Sequence, residues 1–191
     1  MIDCPVPIVL ASASEARRDL LGRIVREFQV VPSRVDESGV RADTPEQFAV
    51  AAAAAKACEV ARRRPDALVI GADTVVICRG EVIGKPVDRR DALRILRKLT
   101  RRPHEVLTGL CLVAPDGRQV TACVRATVRM RRMTVRELED LADTPGAMQH
   151  AGAYALQEDD PNVVSLEGSA SAVMGLPLVE LESILRDLCP L

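Results

Sequence analysis

The sequence has no tryptophan, two phenylalanines and one tyrosine, so Phe28, Phe48 and Tyr154 are its whole aromatic content. That excludes single-stranded nucleic acid bound by stacking on an aromatic platform. Net charge is −1, which removes any bulk electrostatic case for nucleic acid or a membrane surface. No apolar run is long enough to span a bilayer. The opening MIDCPVPIVL has no basic region ahead of a long apolar stretch, which predicts no signal peptide. The six cysteines show no CxxC spacing. Most lie in apolar runs, which predicts reduced, buried thiols in a cytoplasmic protein. Lysine is also scarce: Lys56, Lys85 and Lys98 are three of 26 basic residues, and the other 23 are arginine. A chain that uses arginine almost everywhere keeps lysine where a compact ammonium is needed. Lys98, on a helix face among arginines, is the one that chance explains.

What is present is a chain of 191 residues, 48% hydrophobic and 28% charged, enough for one domain over 1–191 with a real core. Its centre is Ala67 to Pro86, ALVIGADTVVICRGEVIGKP. The run Ala67 to Cys78 predicts a buried central strand with one acid, Asp73, in its middle. An isolated carboxylate there would cost several kcal/mol or more, so Asp73 needs a cation, a partner or a proton. Arg79-Gly80 predicts a tight turn into Glu81 to Ile83, and the returning arm brings Lys85 towards Asp73.

Pro7 to Ala11 predicts a short buried strand running into a helix capped by Ser14, with Leu20, Leu21, Ile24 and Val25 at helical spacing. Ser12, Ser14 and Arg17 at that helix start are suited to an anion, because free backbone N–H groups and the helix dipole favour negative charge there. A second strand, Phe28 to Pro32, leads to Val35-Asp36-Glu37, two acids able to coordinate a hard cation through oxygen. Thr44 to Gln47 matches a capping box with proline at the first helical position. The helix it opens, running to about Arg64, has Ala49, Ala52, Ala53, Lys56 and Val60 on one stripe. Small alanines allow close approach to a sheet and deliver the Lys56 ammonium inward. Asp88 caps a third helix. Val106 to Val113 and Val120 to Met130 predict a hairpin across Pro115-Asp116-Gly117, with Arg125, Arg129 and Arg131 on its solvated face. His104, just before it, reads as structural. Thr134 to Glu137 is another capping box. Asp143 to Gln157, rich in glycine and alanine, reads as a loop and short strand near a ligand. Asn162 to Leu166 is a late strand, and a last helix buries Leu178, Leu181, Leu185 and Leu188. Strands alternating with helices plus one long hairpin predict an α/β fold, a single domain with a twisted mixed sheet flanked by helices.

Helix-start hydroxyls with Arg17, acids at Asp36, Glu37 and Asp73, and lysines at Lys56 and Lys85 form an inventory for a polyphosphate plus a divalent cation. No Ser-His-Asp set, Walker loop or dinucleotide glycine fingerprint competes with it.

In family order, LASASEARRDLL (10–21), VDE (35–37), Lys56, GADTVV (71–76), GKP (84–86), HEVLTG (104–109), AGAYALQ (151–157) and GLPL (175–178) resemble the Maf family of nucleoside triphosphate pyrophosphatases. The resemblance covers nearly the whole chain. It implies a Maf/inosine-triphosphatase-like fold and hydrolysis of a nucleoside triphosphate to monophosphate and pyrophosphate. It also implies a divalent metal (Mg²⁺ or Mn²⁺), a cytoplasmic location and a homodimer, with no nucleic acid or membrane partner. Asp73 is then the proton acceptor or, with Glu37, a metal ligand. Lys56, Lys85 and Arg17 would hold phosphate oxygens. The family's dTTP/UTP branch has arginine at position 16, threonine at 74 and glutamine at 157; the branch acting on 7-methyl-GTP has tryptophan, glutamine and glutamate. This chain has Ala16, Thr74 and Gln157, which favours dTTP/UTP at two of the three. Two further departures are Gln149-His150 where the family has Asp-Lys, and the acidic Glu158-Asp159-Asp160 where the branch is glycine-rich. Substrate recognition is thus expected at Ser12, Ser14, Ala16, Arg17, Thr74, His150 and Gln157, and catalysis at Asp73, Glu37, Lys56 and Lys85. The alternatives are a pyrophosphatase for 7-methyl-GTP or modified purine nucleotides, and a weakly active nucleotide-binding regulator of septum formation.

Overall fold

The computed structural model describes residues 1–156 and 160–189. Gln157, and the acids Glu158 and Asp159 beside it, lie outside the described residues. Strands β1 (Ile8–Leu10), β2 (Gln29–Val30), β3 (Leu68–Cys78), β4 (Glu81–Ile83), β5 (His104–Val113), β6 (Gln119–Met130) and β7 (Val163–Glu167) form one mixed sheet. They pair in the order β2-β1-β3-β5-β6-β7, with β4 on β3. The flanking helices are α1 (Glu15–Leu21), α2 (Pro45–Arg63), α3 (Arg89–Leu99), α4 (Val135–Ala142), α5 (Ala170–Val173) and α6 (Leu178–Leu188). The mixed α/β architecture is the one the alternation of patterns predicts.

The chain clusters into two compact units, through both of which β3, β5 and β6 run. The first holds Met1–Asp73, Thr108–Val124 and Gly175–Leu191. In it β1 is parallel to β2, Val9 opposite Gln29, and to β3, Val9 opposite Val69. Its α2 begins with Pro45 behind a Thr44 cap that accepts from the Gln47 N–H. The Gln47 side chain reaches the Asp43 N–H at 3.1 Å, one residue further back than a capping box requires. The alanine stripe does what its residue sizes suggest. Ala49, Ala52, Ala53 and Ala57 are fully buried, and a Cβ added to Gly109 would stand 2.2 Å from the Ala49 carbonyl oxygen. One added to Gly71 would stand 2.4 Å from that of Ala53. Helix backbone lies directly on strand backbone, which no side chain on the strand would permit. Gly109→Ala is therefore expected to lower stability by about 1–3 kcal/mol, read as a shift of the urea midpoint; an unchanged midpoint would contradict the packing.

Two expectations fail in this unit. Helix α1 closes at Leu21 on the Gly22 cap, so Ile24 and Val25 do not continue it; Val25 instead forms a bridge with Ile2. Cys4 and Cys189 form a disulfide with Cα atoms 5.1 Å apart, rather than the reduced thiols expected from the lack of paired spacing. Of the free thiols Cys78 and Cys111 are buried, Cys58 is half-buried and Cys123 is exposed. Burial pushes the Cys111 thiol up to about 12.

The second unit holds Thr74–Leu107 and Arg125–Met174. Here β4 is antiparallel to β3, Val76 opposite Ile83, across the predicted Arg79-Gly80 turn. Both turn residues have positive φ, 59° and 76°, the hand that matches strand twist in a two-residue hairpin. Outer strand β7 is antiparallel to β6, Val128 opposite Leu166. Inward residues Val128 and Met130 of β6 join Ile95, Leu96 and Leu99 of α3 and Leu138 of α4 in one apolar core, as the alternation of β6 predicts. Lys98 pairs with Glu81 at the surface, a contact of small energetic value. Helix α5 has no counterpart in the sequence reading.

His104 sits in that core with the Tyr154 hydroxyl 2.7 Å from Nε2 and 1% exposure. Burial lowers its pKa from 6.5 to about 4, and burial raises that of Tyr154, which stays neutral throughout that range. Between those two values the unfolded chain binds a proton that the native state does not. The stabilising contribution is thus complete above pH 6.5 and is lost as pH falls towards 4, a total of about 3 kcal/mol. Denaturant midpoints across that window should fall steeply for the wild type and more gently for His104→Gln. Parallel profiles would contradict a neutral buried imidazole.

Candidate active site

The first unit brings six of the predicted residues into two hydrogen-bonded clusters. Asp73, 6% exposed in the middle of β3, receives its cation from α2: Lys56 Nζ donates to Asp73 Oδ1 at 2.6 Å. The same ammonium lies 2.8 Å from Glu37 Oε1. Glu37 opens a 3-10 turn, Glu37–Gly39, whose start is capped by Asp36 accepting from the Ser38 N–H at 2.9 Å. One lysine therefore neutralises two acids from different segments. The inward lysine of the alanine stripe is the partner that a carboxylate in an apolar strand requires.

The other cluster forms where β1 meets α1. Ser14 Oγ accepts from the Arg17 N–H at 3.4 Å, and Ser12 Oγ accepts from the Ser14 N–H at 3.1 Å. The Arg17 guanidinium lies 3.5 Å from Ser12 Oγ through Nη1 and donates through Nε to the Gly175 carbonyl at 2.8 Å. Burial pulls the Arg17 pKa below the ordinary arginine value, and the Asp73 and Glu37 charges pull it back up. Both clusters lie in the first unit, and Arg17 feels the charge of the two acids. GLPL is legible in the sequence as a motif, but nothing local says which side chain its first carbonyl serves.

The other predicted residues are placed as follows. Ala16 lies in the first turn of α1 and is half-buried, with no polar group to offer. In the second unit Thr74 is half-buried on β3, and Lys85 is exposed just after β4. His150 is half-buried, with Nδ1 2.8 Å from the Gly146 carbonyl; a donating Nδ1 leaves Nε2 as the acceptor of the neutral ring. The loop containing it is tied to the strand end bearing Lys85 by the Gly152 N–H, which donates to Gly84 O at 3.2 Å.

The donor set suits a hard divalent cation. Two carboxylates already converge on one cationic point at 2.6 and 2.8 Å. Among the described residues no group of three or more His, Cys, Asp or Glu is placed to hold a metal alone. Mg²⁺ commonly uses one or two carboxylates and completes its shell with water and substrate phosphate oxygens, and two carboxylates are what Asp73 and Glu37 supply.

The profile of a family described as "Maf-like protein" matches residues 7–188. The chain belongs to this family. Its Maf-like sequence is 42% identical, over 97% of each chain, to a protein of Geotalea uraniireducens (strain Rf4) named dTTP/UTP pyrophosphatase. It is 43% identical, over 93% of each chain, to one of Moorella thermoacetica (strain ATCC 39073 / JCM 9320) with the same name. Among solved structures, the Staphylococcus aureus Ham1 protein superposes with a TM-score of 0.54 at 16% identity, covering 95% of this chain and 98% of that one. That likeness concerns the fold alone, and it agrees with the mixed sheet of this Maf-like chain. No helix among the described residues is long and apolar enough to cross a membrane.

Proposed function

We infer that this chain is a nucleoside triphosphate pyrophosphatase that hydrolyses dTTP and UTP to the monophosphate and pyrophosphate. The observation that carries the reading is the Asp73–Lys56–Glu37 arrangement, with the Arg17–Ser12 pair in the same unit, in a chain whose near-full-length relatives are named for that reaction. Water oxygen attacks the α-phosphorus, the bond from that phosphorus to the bridging oxygen breaks, and pyrophosphate leaves with the bond electrons. The water's proton passes to Asp73, the buried carboxylate of β3. Lys56, Lys85 and Arg17 hold phosphate oxygens and offset charge that grows during attack. Asp73 and Glu37 would hold Mg²⁺ or Mn²⁺, which supplies Lewis-acid polarisation of the phosphate. Thr74 and the Gln157 amide, with both a donor and an acceptor, recognise the pyrimidine edge. Ala16 and His150 replace two cations of the dTTP/UTP branch, and this weakens nucleotide binding.

The cytoplasm is the compartment that holds the substrate, and the family resemblance adds a homodimer. A Cys4–Cys189 bond kept there must resist glutathione, as structural disulfides with potentials below about −300 mV do. The test is pyrophosphate release from dTTP, UTP, CTP, GTP, 7-methyl-GTP and ITP with Mg²⁺ or Mn²⁺. Turnover with dTTP or UTP preferred is expected. Turnover of purines alone would overturn the specificity, and binding without pyrophosphate release would favour a regulator.

A further inference from the structure

The second unit carries a concentration of positive charge that the reaction does not use. A cavity of about 720 Å³ is lined by Arg97, Arg101, Arg102 and Arg132, with Met133, Val135 and Leu138 forming an apolar wall. A neighbouring cavity of about 350 Å³ shares Arg97, Arg101 and Arg102 and adds Arg79, Arg94 and Lys98. Arg94 is neutralised by Asp91 at 2.7 Å, and Lys98 is paired with Glu81. Among the described residues Arg79, Arg97, Arg101, Arg102 and Arg132 make no ion pair. Five uncompensated guanidinium groups thus gather on a chain whose net charge is −1.

Two observations argue against a merely solvated face. Cations at the end of α3 complement its dipole, which accounts for Arg97 and the residues just past it. It does not account for Arg132, which follows β6, or for Arg79, in the β3–β4 turn; three separate segments bring charge to one place. Arg79 also takes a left-handed φ of 59°, where turn chemistry favours asparagine, aspartate or glycine. A long cation is kept at a position whose backbone disfavours it. Like charges held together without partners repel, and a bound anion relieves that repulsion.

We propose that these joined cavities form a second anion site, which binds the polyphosphate group of a small phosphorylated ligand. The guanidinium fork matches phosphate oxygens in pairs, and the larger cavity lies within the size range of small-molecule sites. The Met133–Val135–Leu138 wall accepts the organic part when the phosphate belongs to a nucleotide and stays unused when it is inorganic. The site is independent of pyrophosphate release.

The experiment is calorimetric titration of the wild-type chain at low salt with inorganic tripolyphosphate and, separately, with a non-hydrolysable α,β-methylene analogue of dTTP. Arg101→Ala/Arg132→Ala and an exposed control in α2, Arg62→Ala, are titrated in parallel. The double variant is expected to lose one binding event, or at least about tenfold in its affinity, with pyrophosphate release unchanged. Arg62→Ala should match the wild type, and raising the salt should weaken the same event. Tighter binding of the nucleotide analogue at that event identifies a nucleotide source; equal binding identifies an inorganic one. Identical titrations for the double variant and Arg62→Ala would overturn the site. Single-stranded DNA that binds these arginines far more tightly than tripolyphosphate would overturn the small-ligand assignment. Loss of turnover in the wild type would sink the proposed reaction and leave this titration readable.

Discussion

Asp73→Asn is expected to lower pyrophosphate release from dTTP by about 10²- to 10⁴-fold, the range for removal of a positioned general base. Asparagine keeps the shape of the side chain in β3 and loses both the proton acceptor and the anionic metal ligand. The fold should survive, because Lys56 keeps Glu37 at 2.8 Å and its ammonium is not left wholly uncompensated. Circular dichroism and the thermal transition establish that the variant is folded; release is then measured at saturating Mg²⁺. Near-normal turnover from a folded variant would remove Asp73 from catalysis. Total loss of structure would say that the ion pair holds β3 and α2 together, and Glu37→Gln, half-exposed and easier to replace, would then report on the same chemistry.

Cys4→Ser is expected to destabilise the chain by about 5 kcal/mol in the chain-entropy description of a disulfide, a fall of about 10 °C or more in Tm for a chain of this length. The size of the effect follows from a sequence separation of 185 residues, since the cross-link removes more freedom from the unfolded chain as the closed loop grows. The bond joins the N-terminal segment to Cys189, which follows α6 and is 4% exposed. Gly175, before the same helix, carries the carbonyl that accepts from Arg17. Melts with and without dithiothreitol should differ in the wild type and coincide in Cys4→Ser. Coincident melts in both proteins would mean that the bond contributes nothing to stability.

Much of the fold was legible because it is written in local patterns. The apolar run of β3, the alternation of β6, the Thr44 cap and the Arg79-Gly80 turn each rest on residues close in sequence, where period and backbone preference act directly. The alanine stripe of α2 foretold both a close helix–sheet approach and an inward Lys56. The end of α1 misled because Ile24 and Val25 keep the helical spacing, yet the chain turns at Gly22 to put Val25 beside Ile2. The four residues of α5 are too few for any period to show.

By itself the sequence determined the α/β class, the family, and the stock of chemistry: a carboxylate in an apolar strand, a lysine kept among arginines, and hydroxyls with an arginine at a helix start. Burial and backbone propensity act over a few residues, so these can be read along the chain. Tertiary structure alone decided which members of that stock meet. Lys56 reaches Asp73 across 17 residues and Arg17 reaches the Gly175 carbonyl across 158. Cys4 finds Cys189, and cations from three segments of the second unit gather around two joined cavities. Contacts at such separations depend on how helices and strands pack, and their order N–H to O or S to S distances are set by backbone placed far away in the chain, which no local pattern encodes.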